Sequence, residues 1–235
     1  MKIETLPTAA EVARRGASVF EARALARPAL VVALPTGRTP IDMYKVLAAR
    51  RKAGAFDLSR ATAFNLDEVL LPRRMPQTFF QFMTRHAWEP LGIAPERRFI
   101  PDGETSDPEA ECRRYEDGIA KAGGLDLAIL GIGADGHIAY NLPGQAGPRT
   151  HVVKLDSRTI ATLGGDLPGS LRAITLGVET ILSARSILLL ATGASKAEAL
   201  RRMRDEPVSE AWPCTFFRDH ADLTVIADRA AASQL

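Results

Sequence analysis

An acid and a histidine lie two residues apart on a glycine-rich segment in the middle of this 235-residue chain. Asp135 and His137 follow the apolar run 125–130, which is short, preceded by two glycines and typical of a buried parallel strand. At the carboxyl end of such a strand a histidine can exchange a proton near neutral pH, and Asp135 can orient its ring or raise its basicity. The segment therefore predicts an acid–base site; the alternative is a glycine-rich turn with one solvated histidine.

Two adjacent carboxylates, Asp67 and Glu68, follow a second predicted strand at 61–66. Neighbouring carboxylates can divide acid and base roles, because a shared environment keeps one ionised and raises the pKa of the other. The alternative is that one of them caps a helix while the other is solvated. We predict acid–base chemistry at this strand end as well.

Two further strand ends carry groups that suit an anion. The first is followed by a polar turn and a helix start, with the residues Thr36, Gly37, Arg38 and Thr39. The free amides and the dipole of a helix amino terminus favour negative charge there. The second, at 193–196, enters a helix with Lys196, which can hold a phosphate as a point charge. A plain helix cap and a solvated lysine are the alternatives, but the four turns together indicate proton transfer on a small phosphorylated substrate.

The elements that must position these turns alternate along the chain. Strands are predicted at 29–34, 61–66, 125–130, 152–153, 173–176, 186–191 and 223–227, and helices at 39–53, 78–88, 107–121 and 195–204, the last capped by Ser195. Such alternation predicts an α/β fold, with a single doubly wound, mostly parallel sheet and helices on both faces, as in Rossmann-like proteins. We find no repeat or linker, so residues 1–235 are predicted to form one domain.

Composition excludes several classes of protein. The formal net charge is only +2, which gives no basic stripe for nucleic acid. No apolar run approaches the ~18 residues of a membrane span, and the amino terminus lacks the apolar core of a signal peptide. Cys112 and Cys214 lie far apart without metal-type spacing, which indicates packing residues in a reducing compartment. We expect a cytoplasmic protein without nucleic-acid or membrane partners.

Several longer segments match the motifs of one enzyme family. They include LPTGRTPIDMYKVL at 34–47, FNLDE at 64–68, GIGADGHIAYNLPG at 131–144 and LLLATGASKAEAL at 188–200. On these segments the sequence resembles the glucosamine-6-phosphate deaminase/isomerase family, whose sister family is 6-phosphogluconolactonase. The resemblance runs from about residue 29 to the carboxyl terminus.

The resemblance implies isomerisation and deamination of an aminosugar phosphate, giving fructose 6-phosphate and ammonia from glucosamine 6-phosphate. Asp67 would move a proton between C1 and C2 of the opened sugar, and His137, oriented by Asp135, would help to open the ring. The implied substrate- and phosphate-binding residues are Thr36, Gly37, Arg38, Thr39, Glu68, Gly136 and Lys196. The resemblance implies no metal or organic cofactor and leaves open whether the protein is a monomer or a homo-oligomer.

Three positions depart from the deaminase pattern. Leu142 stands where the deaminases carry a glutamate that supports ring opening, and lactonases tend to have an apolar residue there. The segment 67–72 is one residue shorter than in deaminases and is spaced as in lactonases, although Val69 replaces the arginine of the lactonases. Two alternatives therefore stand beside deamination. One is hydrolysis of a sugar lactone by water that His137 activates, and the other is a non-catalytic sugar-phosphate sensor.

The third departure concerns the phosphate. The arginine with which deaminases hold the phosphate has no clear counterpart, because its position falls near residues 164–165, which are both glycine. Arg38, where deaminases usually have glycine, or Arg172 could take its place. His151 could line the site, whereas His220 is expected to be exposed or in the core.

Overall fold

The computed structural model describes residues 1–235 and contains ten strands and eight α-helices. The strands are β1 (Lys2–Leu6), β2 (Val31–Leu34), β3 (Thr62–Asn65), β4 (Asp67–Val69), β5 (Arg98–Phe99), β6 (Leu127–Leu130), β7 (His151–Leu155), β8 (Leu171–Thr175), β9 (Ile187–Ala191) and β10 (Leu223–Asp228). The helices are α1 (Ala9–Ala26), α2 (Arg38–Lys52), α3 (Phe79–Met83), α4 (Glu89–Leu91), α5 (Pro108–Lys121), α6 (Ser157–Leu163), α7 (Val178–Leu182) and α8 (Ala197–Asp205). None of these helices combines the length and the apolar character that a membrane span requires.

Seven strands form one fully parallel sheet in the order β1-β10-β9-β6-β2-β3-β5. Every residue of β2, β6 and β9 is buried, as expected for strands that helices cover on both sides. Alternate residues of β2 belong to different cores: Val32 packs in the cluster with α1 and α2, and Val31 in the cluster with α5 and α8. The predicted doubly wound α/β fold is confirmed.

The order of the strands reverses between β2 and β6. The chain runs from β2 to β3 and β5 on one side, then returns to β6 beside β2 and continues to β9 and β10. The loops that follow β2 and β6 therefore diverge to opposite faces, which leaves a crevice at the carboxyl ends of these strands. That crevice is where the polar turns of the sequence must meet.

Several features of the sheet structure were not predicted, among them the short edge strand β5. The strands expected at 152–153 and 173–176 are not part of the parallel sheet; they lie in β7 and β8, which form a separate antiparallel sheet in the order β4-β8-β7. The amino-terminal strand β1 was missed because its residues are partly exposed, as suits an edge strand beside β10. Apolar runs show that a strand exists but carry no information on its partner or direction.

The helices α1, α4, α6 and α7 were not predicted, and two of the four predicted helices differ from the structure. The helix predicted at 78–88 is interrupted, because α3 is followed by a π-helical turn (Thr84–Trp88). Ser195 does not cap α8; it lies in a single 3₁₀ turn (Ala194–Lys196) that precedes this helix. Ser195 and Lys196, both in this turn, line the crevice.

Candidate active site

A cavity of about 930 Å³ occupies the crevice at the carboxyl ends of the parallel strands. Seven of the ten site residues that the sequence indicated line it: Thr36, Gly37, Arg38, Thr39, Asp67, His137 and Lys196. Asp135 does not line the cavity but contacts the ring of His137. The structure therefore brings all four polar turns together, whereas Glu68 and Gly136 do not line the cavity.

Asp67 stands where the chain leaves the large sheet for the small one. The residue before it, Leu66, donates its N–H to Leu34 (3.1 Å) and accepts the N–H of Leu176 (2.8 Å), which joins the two sheets. Only 5% of Asp67 is exposed, and one of its carboxylate oxygens is fully buried without a hydrogen-bond partner. Burial, together with the charge of Glu68, raises the pKa of Asp67 to about 8. Such a carboxylate, once ionised, is a strong proton acceptor.

Glu68 points away from the cavity and holds its wall together. Its carboxylate accepts the backbone N–H groups of Val69, Phe79 and Phe80, each at 2.8 Å. Burial raises the pKa of this carboxyl to about 7, although these hydrogen bonds lower it. The expectation that Glu68 binds substrate is not supported, because both oxygens are engaged with the first turn of α3. One of the two adjacent carboxylates is therefore the helix anchor that the sequence left as an alternative.

We expect Glu68→Ala to lower the free energy of unfolding by about 3 kcal/mol, because buried amides lose their acceptor at ~1–3 kcal/mol each. Urea unfolding at neutral pH measures this loss. The matched variant Glu109→Ala, which removes an exposed glutamate from the first turn of α5, is expected to cost less than about 1 kcal/mol. A loss at Glu68 as small as that at Glu109 would show that the carboxylate does not anchor α3.

His137 is held in one orientation by Asp135. Its Nδ1 lies 2.7 Å from Oδ1 of Asp135, and its backbone N–H donates to the same oxygen at 3.3 Å. Burial by itself would raise the pKa of Asp135, but the hydrogen bond from His137 lowers it to about 2. Asp135 therefore stays ionised beside Nδ1 of His137, while Nε2 of the ring has no partner within the protein.

Two glycines make this turn possible. A Cβ on Gly133 would lie 2.3 Å from Nδ1 of His137, so only glycine fits beneath the ring. Gly136 has a φ of 80°, and a Cβ there would lie 2.8 Å from the ring of Trp212. We therefore assign Gly136 a structural role in place of the predicted contact with substrate, because its conformation and its packing against Trp212 allow the turn to form.

The other end of the cavity carries positive charge and free donors. The first turn of α2 begins at Arg38 and has no side-chain cap, so its amides are open to an anion. Thr39 contacts Thr192 at the end of β9 through their hydroxyls at 3.1 Å. Lys196 is half-buried, and burial lowers its pKa. Neither Arg38 nor Lys196 forms an ion pair with a carboxylate of the chain.

The loop of Lys196 is fixed by a residue that sequence reasoning missed. Both carboxylate oxygens of Asp228, at the end of β10, accept the N–H of Gly193, at 3.0 and 3.1 Å. Other missed residues line the cavity: Gln77, Phe82, Tyr140 and Thr162. Tyr140 lies in the family motif at 131–144, and Gln77 and Phe82 lie in PQTFFQFM at 76–83, which also resembles the family; none of them was assigned a role from the sequence.

The structure shows where two of the three departures from the family pattern lie. Leu142 is 5% exposed and packs in the apolar core, so no acid faces the cavity from this position. Of the two arginines considered as replacements, Arg38 lines the cavity and Arg172 does not. The ring nitrogens of His151 bond to backbone carbonyls outside the cavity, and those of His220 bond to the backbone at the far end of β9.

Comparison with known proteins agrees with this arrangement. Residues 6–226 match the family model described as glucosamine-6-phosphate isomerases/6-phosphogluconolactonase. The chain belongs to this family. A glucosamine-6-phosphate deaminase of Halothermothrix orenii is 40% identical over 231 residues, which are 96% of each chain.

Two solved structures resemble the chain to different degrees. A structure described as a monomeric glucosamine-6-phosphate deaminase superposes with a TM-score of 0.94, is 36% identical and covers the whole of both chains. A 6-phosphogluconolactonase from Trypanosoma cruzi superposes with a TM-score of 0.81 at 23% identity, over 100% of this chain and 96% of its own. The second likeness shows the shared fold alone.

Proposed function

We propose that this protein is a glucosamine-6-phosphate deaminase that forms fructose 6-phosphate and ammonia. The observation that carries the proposal is the carboxylate of Asp67, which faces the cavity, accepts no hydrogen bond from the protein and has a pKa raised to about 8. Moving a proton between two carbons requires a strong base, whereas hydrolysis of a lactone requires only an activated water. The 40% identity to a deaminase over almost the whole chain supports the same choice.

The phosphate orients the substrate in the cavity. The open amides of α2, with Arg38 and Lys196, form the positive end, and Asp67 and His137 lie in the same cavity. A phosphate bound at the positive end directs the sugar carbons toward the carboxylate and the imidazole. Positioning of this kind lowers the entropy cost of the reaction before any chemistry occurs.

Ring opening is assigned to His137. Asp135 holds Nδ1, so Nε2 can move the proton between the anomeric hydroxyl and the ring oxygen as the C1–O5 bond breaks. Because Leu142 supplies no acid, the His137–Asp135 pair performs this step without a further carboxyl group. A slower ring opening than in relatives with a glutamate is the expected consequence.

Isomerisation and deamination follow from Asp67. The carboxylate removes the proton from C2, and the C–H electron pair forms a C1–C2 double bond while the carbonyl oxygen on C1 becomes negative. Asp67 then returns the proton to C1, and the nitrogen lone pair forms the C2=N bond. One proton passes from the nitrogen to the C1 oxygen, which leaves a hydroxyl on C1 and an imine at C2. Water adds to that carbon and ammonia leaves, giving the ketose phosphate.

Lactone hydrolysis is the second candidate, because Leu142 and the short segment 67–72 match the lactonase pattern. Lactone hydrolysis, however, does not require the buried base Asp67. A sensor without catalysis is disfavoured for the same reason, since Asp67 and the Asp135–His137 pair are intact and face or support one cavity.

Three coarser properties complete the proposal. We propose a cytoplasmic protein because Cys112 and Cys214 are buried, unpaired thiols. We propose that residues 1–235 act as one domain, since both cores pack on one sheet. A monomer is proposed because the solved deaminase described as monomeric covers the chain from end to end.

Lys196→Met is expected to lower kcat/KM for glucosamine 6-phosphate by about 10- to 100-fold, since a hydrogen bond to a charged group contributes ~1.5–3 kcal/mol. Arg38→Met is expected to act in the same direction. Steady-state kinetics on glucosamine 6-phosphate and on unphosphorylated glucosamine measure both effects. Only the phosphorylated substrate should respond, and the control Arg172→Met should change neither. Equal losses on both substrates would show that these cations do not hold the phosphate.

A further inference from the structure

Tyr140 has a polar group that the protein itself does not use. The residue is only 8% exposed and lines the cavity, yet its hydroxyl forms no hydrogen bond within the chain. The other two tyrosines differ: Tyr44 donates to the carbonyl of Pro35 and Tyr115 to that of Asn65, each at 2.8 Å. An accessible hydroxyl on a residue of the cavity wall that has no protein partner is available to a ligand.

One threonine fixes Tyr140 beside Asp67. Thr175 stands opposite Asp67 in the antiparallel pair of β4 and β8, and its hydroxyl accepts the backbone N–H of Tyr140 at 3.0 Å. The ring of Phe79 packs on that of Tyr140 with centroids 5.7 Å apart, which restricts rotation of the phenol. Burial, and then the charges of Asp67 and Glu68, raise the pKa of Tyr140, so the phenol stays a hydrogen-bond donor.

The backbone before Tyr140 is strained. Ala139 has a φ of 53° and is the only residue other than glycine in the left-handed region, a conformation that is unfavourable for any residue with a Cβ. Asn141 holds the turn closed by donating to the carbonyls of Ile138 (3.1 Å) and Leu176 (2.8 Å). This strained turn leaves Tyr140 on the wall of the cavity, and strain maintained in this way is characteristic of functional sites.

We propose that Tyr140 is a further catalytic residue, whose hydroxyl donates a hydrogen bond to the oxygen on C1 of the substrate. The inference rests on the proposed deaminase function. When Asp67 takes the proton from C2, the electron pair of that bond forms the C1–C2 double bond and the carbonyl pair moves onto the C1 oxygen. The phenol stabilises that negative oxygen and keeps its own proton throughout. Packing within the protein does not account for this hydroxyl, because the hydroxyl forms no hydrogen bond with the chain.

Steady-state kinetics and melting temperatures of Tyr140→Phe and Tyr115→Phe test the proposal. Removal of one preorganised donor to a developing oxyanion typically costs ~10²–10³-fold in kcat. We expect Tyr140→Phe to lower kcat by about 100-fold, with KM within about threefold and Tm unchanged, because no protein hydrogen bond is lost. Tyr115→Phe loses a buried hydrogen bond, so its Tm falls while its kcat stays within about threefold.

The outcomes separate this inference from the function on which it rests. A wild-type protein that releases no ammonia overturns both together. An active wild type with an unchanged kcat in Tyr140→Phe overturns the role of Tyr140 alone. A raised KM at constant kcat, or a loss of activity that follows a loss of Tm, also overturns it, since either shows ground-state binding or packing in place of transition-state stabilisation.

Discussion

Asp67→Asn is expected to lower kcat for ammonia release from glucosamine 6-phosphate by at least about 10³-fold. General acid–base catalysis typically contributes ~10²–10⁴-fold, and this carboxylate would act twice, first at C2 and then at C1. An amide of the same size keeps the shape of the cavity but cannot accept the proton. A coupled assay that records ammonia measures the loss. Substantial activity in the variant would show that another group is the base.

The same variant should be at least as stable as the wild type. The pKa of Asp67 is about 8 in the folded protein and near 3.8 in the unfolded chain. Between these two pKa values the native state therefore holds a proton on Asp67 that the unfolded chain has released. The contribution of this proton to the free energy of unfolding is complete below about pH 4 and is lost as the pH rises through about 8. Relative to Asp67→Asn, the Tm of the wild type should fall between these values and level off above them. A difference in Tm between the two proteins that does not change with pH would contradict a buried Asp67 with a raised pKa.

His137→Asn is expected to lower kcat/KM by about 10²–10³-fold, within the range of a single proton-transfer group. The loss should be smaller than that of Asp67→Asn, because sugar that has opened spontaneously in solution still reaches Asp67. Steady-state kinetics on glucosamine 6-phosphate provides the measurement. Asp135→Asn should act in the same direction, since it removes the acceptor that fixes Nδ1 of the ring.

His151→Asn is the matched control for this experiment. His151 lies outside the cavity and bonds to backbone carbonyls, so its replacement should affect Tm and leave kcat/KM nearly unchanged. Comparable losses in the two histidine variants would mean that His137 contributes to folding and not to ring opening.

The gathering of the polar turns could be predicted from the sequence. Parallel strands end at the same edge of a sheet, so residues that follow β2, β6 and β9 must meet there, and Thr36, His137 and Lys196 do line one cavity. This prediction needs only that the strands exist and run in parallel. It does not depend on details of the loops.

The side on which each carboxylate points could not be predicted. Successive residues of a strand face opposite directions, so only one of Asp67 and Glu68 can reach the cavity. The choice depends on β4 pairing with β8, a long-range contact that leaves no local signal. The same holds for Gly136, whose position behind His137 depends on Trp212.

Tyr140 was missed for a related reason. Alanine does not favour the left-handed conformation, so nothing in the sequence indicates the turn at Ala139 that sets the direction of the next side chain. The conformation is imposed by hydrogen bonds that join Tyr140 to Thr175 and Asn141 to Leu176, at the end of the distant strand β8. Local rules fail here because tertiary hydrogen bonds determine the backbone.

The most direct test compares glucosamine 6-phosphate and 6-phosphogluconolactone as substrates of the same purified protein. The structure predicts ammonia and fructose 6-phosphate in equal amounts from the first, with a kcat/KM at least about 100-fold above that for hydrolysis of the lactone. Rapid hydrolysis of the lactone by a folded sample that releases no ammonia would contradict the deaminase assignment and leave Asp67 without its proposed role.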